Sequence, residues 1–125
     1  MLINRQNLKS LEETINNFYQ KEFNIQTQYK LLQVLKAVKE EQKILNDQIA
    51  SLMEQFGERD SNGDLIFIDN GFKLIPEKAK ECEKKYLELL EMKIQIPDIY
   101  FTLDELENLH LTLEQLSYFE PFIKL

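Results

Sequence analysis

One stretch of the chain carries oxygen ligands at the spacing of a calcium loop. It lies in GERDSNGDLIFIDNGFKLIP, residues 57 to 76. Counted from Glu58, Gly63 occupies position six of a twelve-residue loop, and four side chains with oxygen ligands occupy positions three, five, seven and twelve: Asp60, Asn62, Asp64 and Asp69. EF-hand loops hold calcium with oxygen ligands at alternate positions around such a glycine. A calcium-binding module is therefore one hypothesis.

The same stretch also predicts a β-hairpin. Three features count against a calcium loop. The first loop position is Glu58 instead of Asp, and no helix follows the loop. The twelfth position is Asp69, whose short side chain reaches bidentate geometry less easily than that of Glu. Asn70-Gly71 is instead a strong signal for a type I′ hairpin turn. That turn would pair these residues: Ile68 with Lys73, Phe67 with Leu74, Ile66 with Ile75 and Leu65 with Pro76. We therefore predict a polar DSNG turn followed by a hairpin, and no metal site.

Other residue types with chemical potential stand in patterns that do not complete a site. Glu107 and His110 form the Glu-x-x-His unit of di-iron bundles, but those sites need two such units and the chain has one histidine. The single cysteine, Cys82, lies in KECEKK and matches no nucleophile motif. No serine stands in a Gly-x-Ser-x-Gly turn, and the three glycines are isolated, so no phosphate loop is present. We predict a protein that is not an enzyme and binds no cofactor.

Long helices are predicted on both sides of the hairpin. Residues 5 to 22 carry an apolar stripe, and a second helix from about residue 27 to Phe56 has a seam with spacings of three and four: Leu35, Val38, Gln42, Leu45, Ile49, Leu52 and Phe56. Gly57 is predicted to end that helix in the left-handed conformation. A third helix of about 17 residues follows Pro76.

The C-terminal part predicts an extended segment and two short helices. IQIPDIYF, residues 94 to 101, reads as an extended connector or edge strand, and capping boxes at Thr102 and Thr112 begin the helices. The predicted fold is mainly α (small α+β): an antiparallel helical pair or coiled coil with a β-hairpin at its tip and short C-terminal helices. We predict one domain, residues 1–125, made of four segments: N-terminal helices 1–56, turn and hairpin 57–76, helix 77–94 and an acidic, aromatic tail 95–125.

The charge of the chain is concentrated near its C-terminal end. Net charge is −7, of which residues 94–125 carry −5, from six acids and one base. Nonspecific binding to nucleic acid or to an anionic membrane needs clustered Lys and Arg and is not expected. The sequence MLINRQNLKSLEE has charges where a signal peptide has its apolar core, and no uncharged run approaches the ~20 residues of a membrane span. We expect a cytoplasmic protein.

Four segments in order resemble a family of short, uncharacterised proteins from tailed phages and prophages. They are NFYQKEFNIQTQYKLLQVLKAVKEEQKILNDQ, FGERDSNGDLIF, EKKYLELLEMKIQIP and FTLDELENLHLTLEQLSYFEPFI. In the tail, the family pattern is matched by Leu106, Leu109, Leu111, Thr112, Leu116, Glu120, Pro121, Phe122 and Ile123. The resemblance implies a phage or prophage origin and carries no catalytic or binding residues.

The hairpin and the tail are the predicted contact surfaces. A two-stranded ribbon buries one face on its own helices, so the face with Ile66, Ile68 and Ile75 is free for a partner or a second copy of the chain. The tail adds aromatic and acidic side chains: Tyr100, Phe101, Tyr118, Phe119 and Phe122, with Asp104, Glu105, Glu107 and Glu114. We expect an accessory protein that binds a protein in virion assembly or a host protein, in the host cytoplasm.

An alternative hypothesis assigns the acidic tail a different partner. Its carboxylates would stand in for nucleic-acid phosphates in an inhibitor of a host nucleic-acid-targeting defence system, of the anti-CRISPR or anti-restriction type.

Overall fold

The structure is a computed structural model, and it describes residues 1–18, 21–69 and 71–124. The helices and strands in chain order are β1 (Leu2–Asn4), α1 (Leu8–Asn16), α2 (Ile25–Phe56), β2 (Phe67–Ile68), β3 (Gly71–Phe72), α3 (Ala79–Glu91), β4 (Lys93–Gln95), α4 (Leu103–Glu107) and α5 (Leu113–Phe119). Three single 3₁₀ turns add Arg5–Asn7, Pro76–Lys78 and Glu120–Phe122. The prediction of a mainly helical, small α+β fold is confirmed.

The chain divides into two compact units. The terminal unit is Met1–Gln42 with Lys93–Leu125, and the hairpin unit is Lys43–Met92. Each unit has its own cluster of buried side chains, and the residues of α2 are divided between them. The assignment of residues 1–125 to one domain stays a prediction.

A small sheet joins the two chain segments that form the terminal unit. β1 and β4 pair antiparallel, with Ile3 opposite Ile94. β4 lies at the start of the predicted extended segment, whereas β1 was not predicted, because three residues without a turn signal carry no strand pattern of their own. The first helix is correspondingly shorter than the predicted span of residues 5 to 22. Its predicted apolar stripe is buried as expected, at Leu8, Leu11, Ile15 and Phe18.

The C-terminal helices complete the core of the terminal unit. The Phe101 amide donates a hydrogen bond to the Phe122 carbonyl at 2.6 Å, and Phe101 forms a parallel bridge with Ile123. The Phe119 ring packs edge-on to Phe101, with ring centroids 5.8 Å apart. Both predicted capping boxes are present, at Thr102 with Glu105 and at Thr112 with Gln115. Helices of this length need such docking, since an isolated helix of five or seven residues is not stable.

The predicted seam of α2 is buried at its two ends. Leu35 and Val38 belong to the core of the terminal unit, and Leu52 and Phe56 belong to that of the hairpin unit. The middle of the seam is half-buried, at Gln42, Leu45 and Ile49.

In the hairpin unit α3 lies antiparallel beside α2. Met53 shares one groove with Ala79, at the start of α3, and Ile44 shares another with Met92, just after its end. Cys82 packs with Leu52 and Phe56, and the Lys85 ammonium lies 5.2 Å from the centre of the Phe56 ring.

The hairpin forms with a pairing shifted by two residues from the prediction. Phe67 pairs with Phe72, where Leu74 was predicted, and Asn70 of the predicted turn lies outside the described residues. The pairing differs from the prediction because a third segment takes part in it. Gly57, directly after α2, forms an antiparallel bridge with Leu74. The Glu58 amide donates to the Lys73 carbonyl at 2.7 Å and its carbonyl accepts from the Ile66 amide at 3.0 Å. The chain leaving α2 therefore takes backbone partners that the sequence assigned to the hairpin alone.

Gly57 is needed for close packing. The prediction of a left-handed helix end is wrong, because positive φ occurs at Gly63 and Gly71 but not at Gly57. A Cβ at residue 57 would lie 2.5 Å from Cδ2 of Leu65 and 2.5 Å from the Met53 carbonyl oxygen. Only a glycine lets the segment turn so tightly out of α2.

Candidate functional site

Two large apolar side chains project from the hairpin. Phe67 is 66% exposed and Ile68 is 56% exposed, while Ile66 and Ile75 are half-buried. Of the predicted contact face, Ile68 is exposed whereas Ile66 and Ile75 are half-buried, and a partner contact at Ile68 stays a prediction. Phe67 lies on the other face of the predicted hairpin, the one expected to pack on the helices, and it is exposed as well. The side chain that packs inward is Phe72, its cross-strand neighbour.

An apolar groove of about 540 Å³ adjoins the hairpin. It lies between α2, the hairpin and α3, entirely within the hairpin unit. Its lining is Ile49, Leu52, Met53, Gly71, Phe72, Leu74, Ala79, Cys82, Glu83 and Tyr86. Gly71 and Phe72 line the groove, and their strand partners Ile68 and Phe67 lie next to it, outside its lining. We call Phe67, Ile68 and this groove the hairpin surface.

The groove is lined mainly by apolar side chains. Glu83 is the one charged residue in its lining. Cys82 is 4% exposed, and burial raises the pKa of its thiol, which disfavours the nucleophilic thiolate. Mostly apolar walls offer shape and hydrophobic contact to a bound group.

A second groove lies elsewhere along α2 and α3. It has a volume of about 720 Å³, an apolar lining that includes Ile44, Leu52, Leu89 and Met92, and charged groups at Asp47, Lys85 and Glu88. The hairpin unit is thus open on more than one side of its helical pair. Its buried core among the described residues is only Leu52, Phe56 and Cys82.

The aromatic tail is mostly interior. Phe101, Phe119 and Phe122 are each 0% exposed, so their assignment to a contact surface is corrected. They are needed as core because α4 and α5 are too short to fold without docking. Tyr118 is half-buried and donates a hydrogen bond to Glu114 Oε1 at 2.8 Å. Of the five aromatic side chains assigned to the tail surface, Tyr100 is the exposed one, at 42%.

The acidic side chains of the tail have two different roles. Asp104, Glu107 and Glu114 are exposed. Glu105 is half-buried, and its carboxylate accepts hydrogen bonds from the Lys30 ammonium at 2.8 and 3.1 Å and from the Thr27 hydroxyl at 3.3 Å. Burial acts to raise the pKa of Glu105, but the hydrogen bonds from Lys30 and Thr102 and the charge of Lys30 outweigh it and lower that pKa. Glu105 is therefore a structural anion, and the exposed three remain available to a partner.

The predicted metal candidates form a self-stabilised turn. Asp60 Oδ1 accepts the backbone amides of Asn62 at 2.9 Å and Asp64 at 3.1 Å, and the Gly63 amide donates to the Asp60 carbonyl at 3.0 Å. Within residues 1–18, 21–69 and 71–124, no group of three or more His, Cys, Asp or Glu side chains is placed to hold an ion. The DSNG segment, with Asp69 beyond it, thus has the geometry of a turn leading into the hairpin, and the structure gives no support to a calcium loop.

The Glu-x-x-His pair does not lie on one helical face. α4 ends at Glu107, and His110 follows it with a φ of 54°, in the left-handed region. His110 is exposed and its amide donates to the Glu107 carbonyl at 3.2 Å. This geometry belongs to a helix end, because a left-handed residue there satisfies the last carbonyl groups.

Comparison with known proteins finds no matching family model, no matching curated protein and no matching solved structure. In the part of the chain that the structure describes, none of the helices combines the length and the apolar character needed to cross a membrane.

Proposed function

We propose that the chain is a non-enzymatic accessory protein that binds another protein through the hairpin surface. The observation that carries the proposal is the exposure of Phe67 and Ile68 beside an apolar groove. Covering a large apolar side chain contributes roughly 1.5–3 kcal/mol, and exposed apolar clusters of this kind mark contact sites in soluble proteins. The resemblance to phage and prophage proteins adds the class of partner, a virion component or a host protein met in the host cytoplasm.

The test is capture of the partner by matched variants. The tagged chain is used for pull-down and mass spectrometry from infected or lysogenic cells. The double variant Phe67→Ser/Ile68→Ser should lose the partner at least tenfold, because each substitution removes apolar contact worth about 1.4 kcal/mol or more. Leu113→Ser is the matched control, since Leu113 is 84% exposed but belongs to the terminal unit.

Folding and binding are separated by one further measurement. Both variants should keep the circular dichroism spectrum and the melting temperature of the wild type, since they change exposed side chains. A partner that the wild type, the control and the hairpin variant all retain equally would refute the hairpin surface as the contact site.

The alternative hypothesis, an inhibitor whose acidic tail mimics phosphates, is tested by the salt dependence of binding and by variants with neutral side chains. Asp104, Glu107 and Glu114 are exposed, so Asp104→Asn/Glu107→Gln/Glu114→Gln tests phosphate mimicry without removing the half-buried Glu105. Loss of the partner with this variant, together with a steep decrease of binding with salt, would replace the hairpin proposal by the inhibitor hypothesis. Binding that is insensitive to both leaves the hairpin surface as the site.

A further inference from the structure

We draw no further inference here: the strongest candidate, the second groove along α2 and α3 of the hairpin unit, with Asp47, Gln48 and Glu88 in its lining, carries none because nothing in the structure shows what covers it.

Discussion

The Glu105 carboxylate contacts three residues in the terminal unit. Beside the Lys30 ammonium and the Thr27 hydroxyl, the Thr102 amide donates to Oε1 at 3.0 Å, which closes the capping box of α4. The same side chain thus begins α4 and joins it to α2. Because this anion is hydrogen-bonded in the folded state, its pKa is lower than in the unfolded chain.

Glu105→Gln should destabilise the protein in a pH-dependent way. A lowered folded pKa contributes stability that is complete above the ordinary pKa of a glutamate and is lost as pH falls through the folded pKa. We expect a loss of about 1–2 kcal/mol at pH 7 that shrinks toward zero in acid, measured by urea unfolding across pH. Glu107→Gln, on the exposed face of the same helix, should cost almost nothing. Equal losses for Glu105→Gln at pH 7 and at pH 3 would contradict the linkage.

At the scale of elements, the last two helices show how local signals and docking combine. α5 has seven residues and begins with Thr112, whose hydroxyl accepts the Gln115 amide at 3.1 Å while Gln115 Oε1 accepts the Thr112 amide at 3.0 Å. The helix then presents Phe119 to the core. The cap defines where the helix begins, and the buried ring holds it in place.

Thr112→Ala should lower the free energy of unfolding by about 1 kcal/mol. The reason is loss of the side-chain acceptor for an amide that has no partner within the helix. Thr112→Ser keeps that hydroxyl and should retain most of the stability. Chemical denaturation of both variants measures the difference, and equal stabilities would show that the cap contributes nothing.

The largest difference at the scale of the whole molecule is between the buried clusters of the two units. The core of the terminal unit includes Phe18, Phe101, Phe119 and Phe122 and many aliphatic side chains. The core of the hairpin unit, within the part of the chain that is described, contains Leu52, Phe56 and Cys82. Local opening free energies follow the number of buried apolar contacts, so the hairpin unit should open more readily.

Hydrogen exchange should therefore be faster in the hairpin unit. α2 offers an internal control, because residues 25–42 and residues 43–56 belong to one helix but to different units. We expect lower amide protection for 43–56 than for 25–42, measured by mass spectrometry of peptides from the native protein. Equal protection along the helix, or the reverse gradient, would refute the expectation.

Sequence patterns that span only a few residues were sufficient to predict much of the fold. The capping boxes at Thr102 and Thr112, the apolar stripe of α1 and the turn at Asp60 all depend on neighbours within four residues, so they could be predicted. The burial of Phe101, Phe119 and Phe122 could not, since an aromatic side chain in a short helix has the same local pattern whether it faces a core or a partner. Residues distant in sequence decide between the two.

What the sequence by itself determined is the order of helices and turns and the lengths of chain that connect them, because backbone hydrogen bonds and side-chain caps are local. The tertiary structure alone decided the pairings between distant residues: β1 with β4, and Gly57 with Leu74. The second pairing shifted the hairpin and left Phe67 exposed. The physical reason is that a strand accepts any partner with free amide and carbonyl groups, and packing chooses among them.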